Sequence, residues 1–308
     1  MGSSEGNGVH AEGSDAAHPL LGVGMGNTLV TGLAVALLGL AAIRPAAAEW
    51  AALSLILVAG IPHGAFDLRI AEAQWLPLMR SRAAVLALYV SIGAAMSAFC
   101  LLAPAAGLLA FLAVSAVHFS EGEHRGSGRV TAAIFGVAAI LCPIGLHAHE
   151  AGGYLEFFVP AGLFVPLAPL LARASLALWM LALGAVALDL VRGRRDECLQ
   201  RAVSLAGWLL LPPLSGFAVW FIGRHSRQHL ALCRGLFAGS RFGVPLDFAV
   251  ISVLAVGLIA PLSLRFDLSD IRQLFAASIV LIAGLTLPHM IVSHGLPGTL
   301  RLLRGGAR

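Results

Sequence analysis

The sequence predicts an all-α, polytopic integral membrane protein, a bundle of about eight to ten transmembrane helices. Three observations carry this. The chain of 308 residues is 58% hydrophobic and 12% charged, with a mean hydropathy of +0.88, far more apolar than a soluble domain of its size. Its apolar runs have the length of about 17–25 residues that crosses a bilayer. The breaks between those runs hold Arg, Gly and Pro. All 20 cationic side chains are arginine, and the net charge of +4 is spread over loops. Without a basic patch there is no footprint for nucleic acid.

Taken in order, residues 1–26 are rich in Gly, Ser and Ala. They lack the basic flank and cleavage site of a secretory signal peptide, and they read as a disordered polar tail. Residues 27–300 read as a single transmembrane catalytic domain and 301–308 as a short basic tail. Within the domain, candidate spans run over 27–43, 47–64, 83–103, 105–120, 130–147, 154–171, 173–191, 202–222, 246–264 and 272–292. The fourth is short and follows the third through only "PAAG" (104–107). The sixth carries Pro160, Pro166 and Pro169, which leaves a re-entrant or interfacial path open beside a crossing. Cys100 and Cys142 lie inside apolar segments, and Cys198 and Cys233 in or near polar loops. With no CxxC spacing, neither a disulfide framework nor a thiolate metal site is indicated. No period of repeat proteins is present; "AGIPHG" (59–64) and "LTLPHM" (285–290) are a faint internal echo.

Imidazoles are costly in lipid and rare there without a task. Of the 11 histidines, His10 and His18 fall in the tail, and the others collect at or just beyond segment ends. His63, His118, His225, His229, His289 and His294 all stand at carboxyl ends of even-numbered spans. Successive spans alternate in direction, so these six share one side of the membrane. His147 and His149 end the fifth span on the opposite side, and His124 lies in the loop after the fourth.

"RHSRQH" (224–229) sets His225 and His229 four apart on one helix face, where two imidazoles can reach one ion. Arg224 and Arg227 beside them suit lipid phosphates equally well. In "GIPHGAFDL", Asp67 follows His63 by four and can accept the imidazole N–H that a metal leaves free; otherwise it is a loop acid. His118 stands in "SAVHFSEGE" with Glu121 and Glu123, which are oxygen ligands or simply solvated. His289 and His294 are five apart, about 140° around a helix, so at most one faces the site.

"PHGAFD" (62–67), "HFSEGE" (118–123), "RHSRQH" (224–229) and "LPHM" (287–290), in that order on a polytopic chain, resemble the Brp/Blh family of membrane β-carotene dioxygenases. The resemblance covers about residues 25 to 300. It implies Fe(II)-dependent cleavage of all-trans-β-carotene by O₂ at the central 15,15′ double bond, giving two all-trans-retinal. It also implies four iron ligands, here His63, His118, His225 and His229; from their positions in the sequence, Asp67, His289 and Glu121 are expected to stand behind them. Retinal would pass to a rhodopsin-type protein. The "RGRRDECLQR" stretch (192–201) has no counterpart in that pattern.

Imidazole suits non-haem iron, and an uncharged polyene calls for a long apolar tunnel reached from lipid. Phe66, Phe119, Trp208, Phe217, Trp220 and Phe221 adjoin the proposed ligands in sequence and can flank a polyene, or face lipid instead. A membrane transporter or proton/metal pathway protein is the alternative, although it would place ionisable groups at span centres in paired repeats. A two-iron hydroxylase or desaturase calls for more histidine boxes than the single HxxxH. A carotenoid-binding module does not account for imidazoles at one depth. In the ten-span arrangement, thirteen arginines stand on the even-end side and seven on the other. The positive-inside tendency then puts the iron centre toward the cytoplasmic side of the cell membrane, with Arg192, Arg194, Arg195 and Arg201 as exceptions. A shared iron needs an even number of crossings between His118 and His225, so 154–171 is expected to cross.

Overall fold

Helices in this chain end where proline, arginine or a polar turn interrupts an apolar run. A computed structural model describes residues 18–64, 66–124, 128–236, 253, 257 and 261–294. α1 (His18–Ile43) and α2 (Pro45–His63) are separated by Arg44 alone, and proline opens α2 at the position where its missing N–H is harmless. There follow α3 (Asp67–Met79), α4 (Arg82–Leu102), α5 (Pro104–His124), α6 (Arg129–Leu146), α7 (Ala148–Leu155), α8 (Ala161–Val191) and α9 (Arg195–Leu210). α10 (Pro213–Trp220) runs through a π-helical turn (Phe221–Ser226) into α11 (Arg227–Leu236), and α12 (Ile271–His294) closes the described chain. No strand occurs among the described residues. α4, α5, α6, α8 and α12 are each long and apolar enough to cross a membrane, which bears out the all-α membrane bundle.

Cross-chain contacts sort the helix ends into two sets. At one end the Asn27 amide donates to Asp196 Oδ1 (2.7 Å) and Gln200 Nε2 to Asn27 Oδ1 (2.9 Å), beside Glu123, Asp189, Arg201 and Arg224; we call this the histidine end. At the far end, a ring nitrogen of His147 lies 3.0 Å from the Trp208 carbonyl oxygen. There too, Glu49 accepts from the amides of Leu214 (3.3 Å) and Ser215 (3.1 Å) and from the Ser215 hydroxyl (2.9 Å). That carboxylate satisfies donors a helix start leaves free. From His118 to His225 the chain passes through α6, α8, α9 and α10, four traverses in all.

The even count holds, by a different route from the one expected. Residues 154–171 are not a span of their own: α7 ends at Leu155, and α8 runs unbroken from Ala161 to Val191 through Pro166 and Pro169. Apolar helices tolerate such prolines where neighbouring groups take up the freed carbonyls. The expected 202–222 span instead divides at Pro212–Pro213. Leu211 before the prolines is extended, as a residue preceding proline must be, and the chain reverses into α10. The 192–201 arginines therefore sit at the histidine end. α1 begins at His18 instead of 27, and α3 was not foreseen. Of the expected 246–264 span only 253, 257 and 261–264 are described; residues 1–17 and 301–308 lie outside the described residues.

Two devices hold the bundle. α4 and α12 meet at Gly93 and Gly284, so closely that a Cβ on Gly93 would stand 2.6 Å from the Gly284 carbonyl oxygen, the small-residue packing of membrane helices. The other is ionic. Glu123, 2% exposed, accepts from Arg201 (2.8 Å) and, through both carboxylate oxygens, from Arg224 (2.6 and 2.9 Å). Arg201 and Arg194 both bond Asp189, and Arg224 reaches Glu197. Charges in an apolar interior persist only when paired, and this lattice ties α5, α8, α9 and the π turn together.

Glu123→Ala strips two buried guanidiniums of their shared partner and is expected to cost about 3–5 kcal/mol. Glu72→Ala, which removes only an exposed pair with Arg82 (3.5 Å), is expected to cost about 0–1 kcal/mol. Thermal unfolding of the purified protein in detergent measures both; equal losses would refute the ranking.

Candidate metal centre

Five imidazoles from five elements converge at the histidine end: His63 from α2, His118 from α5, His225 from the π turn, His229 from α11 and His289 from α12. Each is at most 8% exposed. The Nε2 atoms of His118 and His225 are 3.2 Å apart, and those of His118 and His289 3.3 Å. Two nitrogens held about 2.1 Å from one ion at octahedral or tetrahedral angles would be about 3.0–3.4 Å apart. Nitrogens of His63, His118 and His225 fall within 4.8 Å of one another, as do those of His63, His229 and His289. A buried ring nitrogen of His63, Nδ1, has no hydrogen-bond partner among the described residues. Five imidazoles with no carboxylate or thiolate in either grouping form a donor set suited to a divalent transition ion.

The local fold explains how the rings reach this point. A π turn is a common accompaniment of functional sites, and here it carries Arg224 to Glu123 while the next residue, His225, faces His118. Gly122 leaves His225 its place, since a Cβ there would lie 3.1 Å from His225 Nδ1. The Trp220 ring stacks on His225 (centroids 5.2 Å apart, 24° between planes), and Phe119 meets it edge-on at 4.7 Å.

Asp67 does not serve His63 as its spacing suggested. Its Oδ1 lies 2.8 Å from His289 Nδ1, and its Oδ2 accepts from the Tyr89 hydroxyl (2.7 Å). A carboxylate on Nδ1–H leaves the Nε2 lone pair of His289 free for a metal, the arrangement typical of metal-bound histidine. His289 thus stands among the imidazoles instead of behind them. Glu121 pairs with the exposed His294 (2.7 Å) and borders a small polar cleft with Gln228 and His229. Cys233, not expected there from the sequence although it follows His229 by four on one helix, has its sulfur 3.4 Å from His229 Nε2. His147 bonds at the far end, apart from the cluster.

From His63, His118 and His289 an apolar cavity of about 250 Å³ extends between α2, α5, α6, α10 and α12 to Ala151, Tyr154 and Phe275. Along α5 it is lined from His118 back to Leu108, about 15 Å at the helical rise. Of the six aromatic side chains proposed from sequence, Phe119, Phe217 and Phe221 line it. Trp208 and Trp220 are fully buried in the core between helices, and Phe66 packs with Ile70 and Tyr89. Adjacency in sequence could not separate a ring facing the cavity from one facing the next helix. Tyr89 and Tyr154 line the cavity from α4 and α7, which carry no motif, and Phe111 and Phe275 line it from α5 and α12, well before the motifs of those helices.

Residues 54–297 match the family described as Beta-carotene 15,15'-dioxygenase. Among curated proteins, a beta-carotene 15,15'-dioxygenase from uncultured marine bacterium 66A03 is 27% identical over 200 residues, covering 59% of this chain and 68% of the relative. No solved structure matches.

Asp67→Asn keeps the shape but weakens the acceptor for His289, and is expected to lower divalent-ion affinity by roughly 10–100-fold. Tyr89→Phe, one bond further out, is expected to cost less. Competition with a chromophoric chelator measures both; unchanged affinity in Asp67→Asn would show that His289 takes no part in binding.

Proposed function

Because the chain belongs to the beta-carotene 15,15'-dioxygenase family, we propose that it cleaves all-trans-β-carotene at the central double bond with O₂, giving two all-trans-retinal, on a ferrous ion held by imidazoles. The observation that carries this reading is the convergence of five buried imidazoles, three of which, His63, His118 and His289, line the end of an apolar cavity. Ferrous iron bound there would supply the redox chemistry that activates O₂. Both oxygen atoms end in the two aldehydes, so the reaction needs no external reductant.

The chain's own residues account for the rest. Phe119, Phe217 and Phe221 offer flat apolar walls to a polyene, and the cavity excludes water from it. Depth along α5 measures off one arm of the substrate, which fixes the double bond that stands beside the imidazoles. Asp67 and Tyr89 hold His289 in one tautomer and orientation. His63, His118, His225, His229 and His289 are the residues that would hold the ion, the first four matching the pattern the sequence resembles and the fifth added by its position.

Expression in a β-carotene-accumulating bacterium is expected to replace the carotenoid with retinal. Alanine at any of these five histidines is expected to abolish retinal formation nearly completely and to lower bound iron, His289→Ala included. His147→Ala is expected to retain both. Full turnover by His289→Ala would return that residue to a supporting role, and persistent colour without retinal in the wild type would sink the proposal.

For orientation, Arg69, Arg80, Arg82, Arg129, Arg192, Arg194, Arg195, Arg201, Arg224 and Arg227 belong to the histidine end among the described residues, against Arg44, Arg173, Arg265 and Arg272 toward the far end. The bias supports a cytoplasmic histidine end in the cell membrane, and the 192–201 arginines now reinforce it. Single cysteines at Gly128 and Gly193 are expected to react with an impermeant thiol reagent from the cytoplasmic face only. Labelling of the two from opposite faces would refute the paired traverses of α6 and α8 that lie between them.

A further inference from the structure

Serine inside an apolar helix commonly returns its hydroxyl to the carbonyl four residues back. Ser120 does so on Ala116 (2.7 Å), Ser204 on Gln200 (2.8 Å) and Ser278 on Leu274 (2.7 Å). Ser115 does not. It is 3% exposed, its hydroxyl has no hydrogen-bond partner among the described residues, and it lines the apolar cavity. A buried hydroxyl without a partner costs about 1–3 kcal/mol, so its natural partner is something the cavity receives.

Its place narrows what that partner is. Ser115 precedes His118 by three residues on α5, so the two side chains are neighbours on one helix face, their Cβ atoms about 5–6 Å apart. His118 Nε2 lies within 3.3 Å of the Nε2 atoms of both His225 and His289. The hydroxyl therefore stands in the cavity one helical turn from the point where the imidazoles meet. Resting on the carotene-cleavage reading, the chemistry there changes only at two carbons. The hydrocarbon substrate has no hydrogen-bond acceptor along its length, whereas each product half carries an aldehyde oxygen at the cleaved end.

We propose that the Ser115 hydroxyl donates a hydrogen bond to the aldehyde oxygen of the retinal that remains in the cavity. The residue is idle toward the substrate and engaged by the product. It holds the cleaved end in place and draws electron density toward the carbonyl oxygen. The contact also distinguishes a bound aldehyde from a bound hydrocarbon in a cavity that otherwise offers both the same apolar walls.

The test uses the purified full-length protein in detergent, with all-trans-retinal added directly, so that binding is read separately from turnover. In the wild type the carbonyl stretch of bound retinal, followed by Raman spectroscopy, is expected below its frequency in a hydrocarbon solvent. Ser115→Ala should return it to the hydrocarbon value and weaken retinal binding about two- to tenfold, without weakening β-carotene binding. Ser115→Thr, which keeps the hydroxyl, should restore the shift. An identical carbonyl frequency in wild type and Ser115→Ala would overturn the proposal. So would a rise in the KM for O₂ in Ser115→Ala without a carbonyl shift, since the hydroxyl would then serve dioxygen. Absence of retinal from β-carotene in the wild type would count against the cleavage reading itself, whatever the spectra of added retinal show.

Discussion

The geometry of the histidine end depends on one carboxylate. Glu123 lies five residues beyond His118 on α5 and receives Arg224, the residue before His225, together with Arg201 of α9. Between α5 and the π turn there are thus two adjacent contacts, an ion pair on one side and an imidazole pair on the other. The first sets the spacing of the second. Because the ions are buried, a shift of either element would leave an unpaired charge in an apolar interior, which is more costly than losing packing contacts. Gly122 between them keeps the approach close enough for His225 to seat.

The same lattice explains where the sequence was legible and where it was not. Histidines at helix ends, the 224–229 spacing and the apolar runs carried the bundle and the convergence of His63, His118, His225 and His229, because alternating span direction is a strong constraint. Arg192, Arg194, Arg195 and Arg201 were expected on the side opposite the histidines, because charge in a single sequence does not show that 195–201 begin a helix. Arg201 is in fact fully buried and belongs to a helix whose polar face meets Glu123 and Asp189. Placing those residues on a helix restores the traverse that dividing α8 in two had supplied. Pro166 and Pro169 pulled the reading the other way: proline marks a helix boundary by propensity, but inside a packed membrane bundle it marks one only when the neighbours cannot absorb it.

Asp67 shows a similar limit. Spacing on one helix suggested His63 as its partner, while the fold gives it to His289, 222 residues away in sequence. The break between α2 and α3 decides this. α2 ends at His63 and α3 starts at Asp67, so the four-residue rule for a continuous helix does not apply across the turn. What survives is the chemistry the spacing was meant to supply, a carboxylate holding one nitrogen of an imidazole, delivered to a different ring and backed by Tyr89.

The bundle is chemically divided at the imidazoles. On one side lie Glu121, Gln228 and the Glu123 ion pairs, and on the other a cavity walled by leucine, isoleucine and phenylalanine. For an uncharged polyene no ion pair or hydrogen bond can set the register, so register must come from shape: the depth of the cavity and the flatness of its aromatic walls. The ion pairs meet the complementary need. Shape selects one bond only if the imidazoles stay fixed relative to the cavity, and long apolar helices slide past each other at little cost unless something directional pins them. Glu123 and Gly93–Gly284 provide that pin at the two helix pairs, α5 with the π turn and α4 with α12, that deliver His118, His225 and His289.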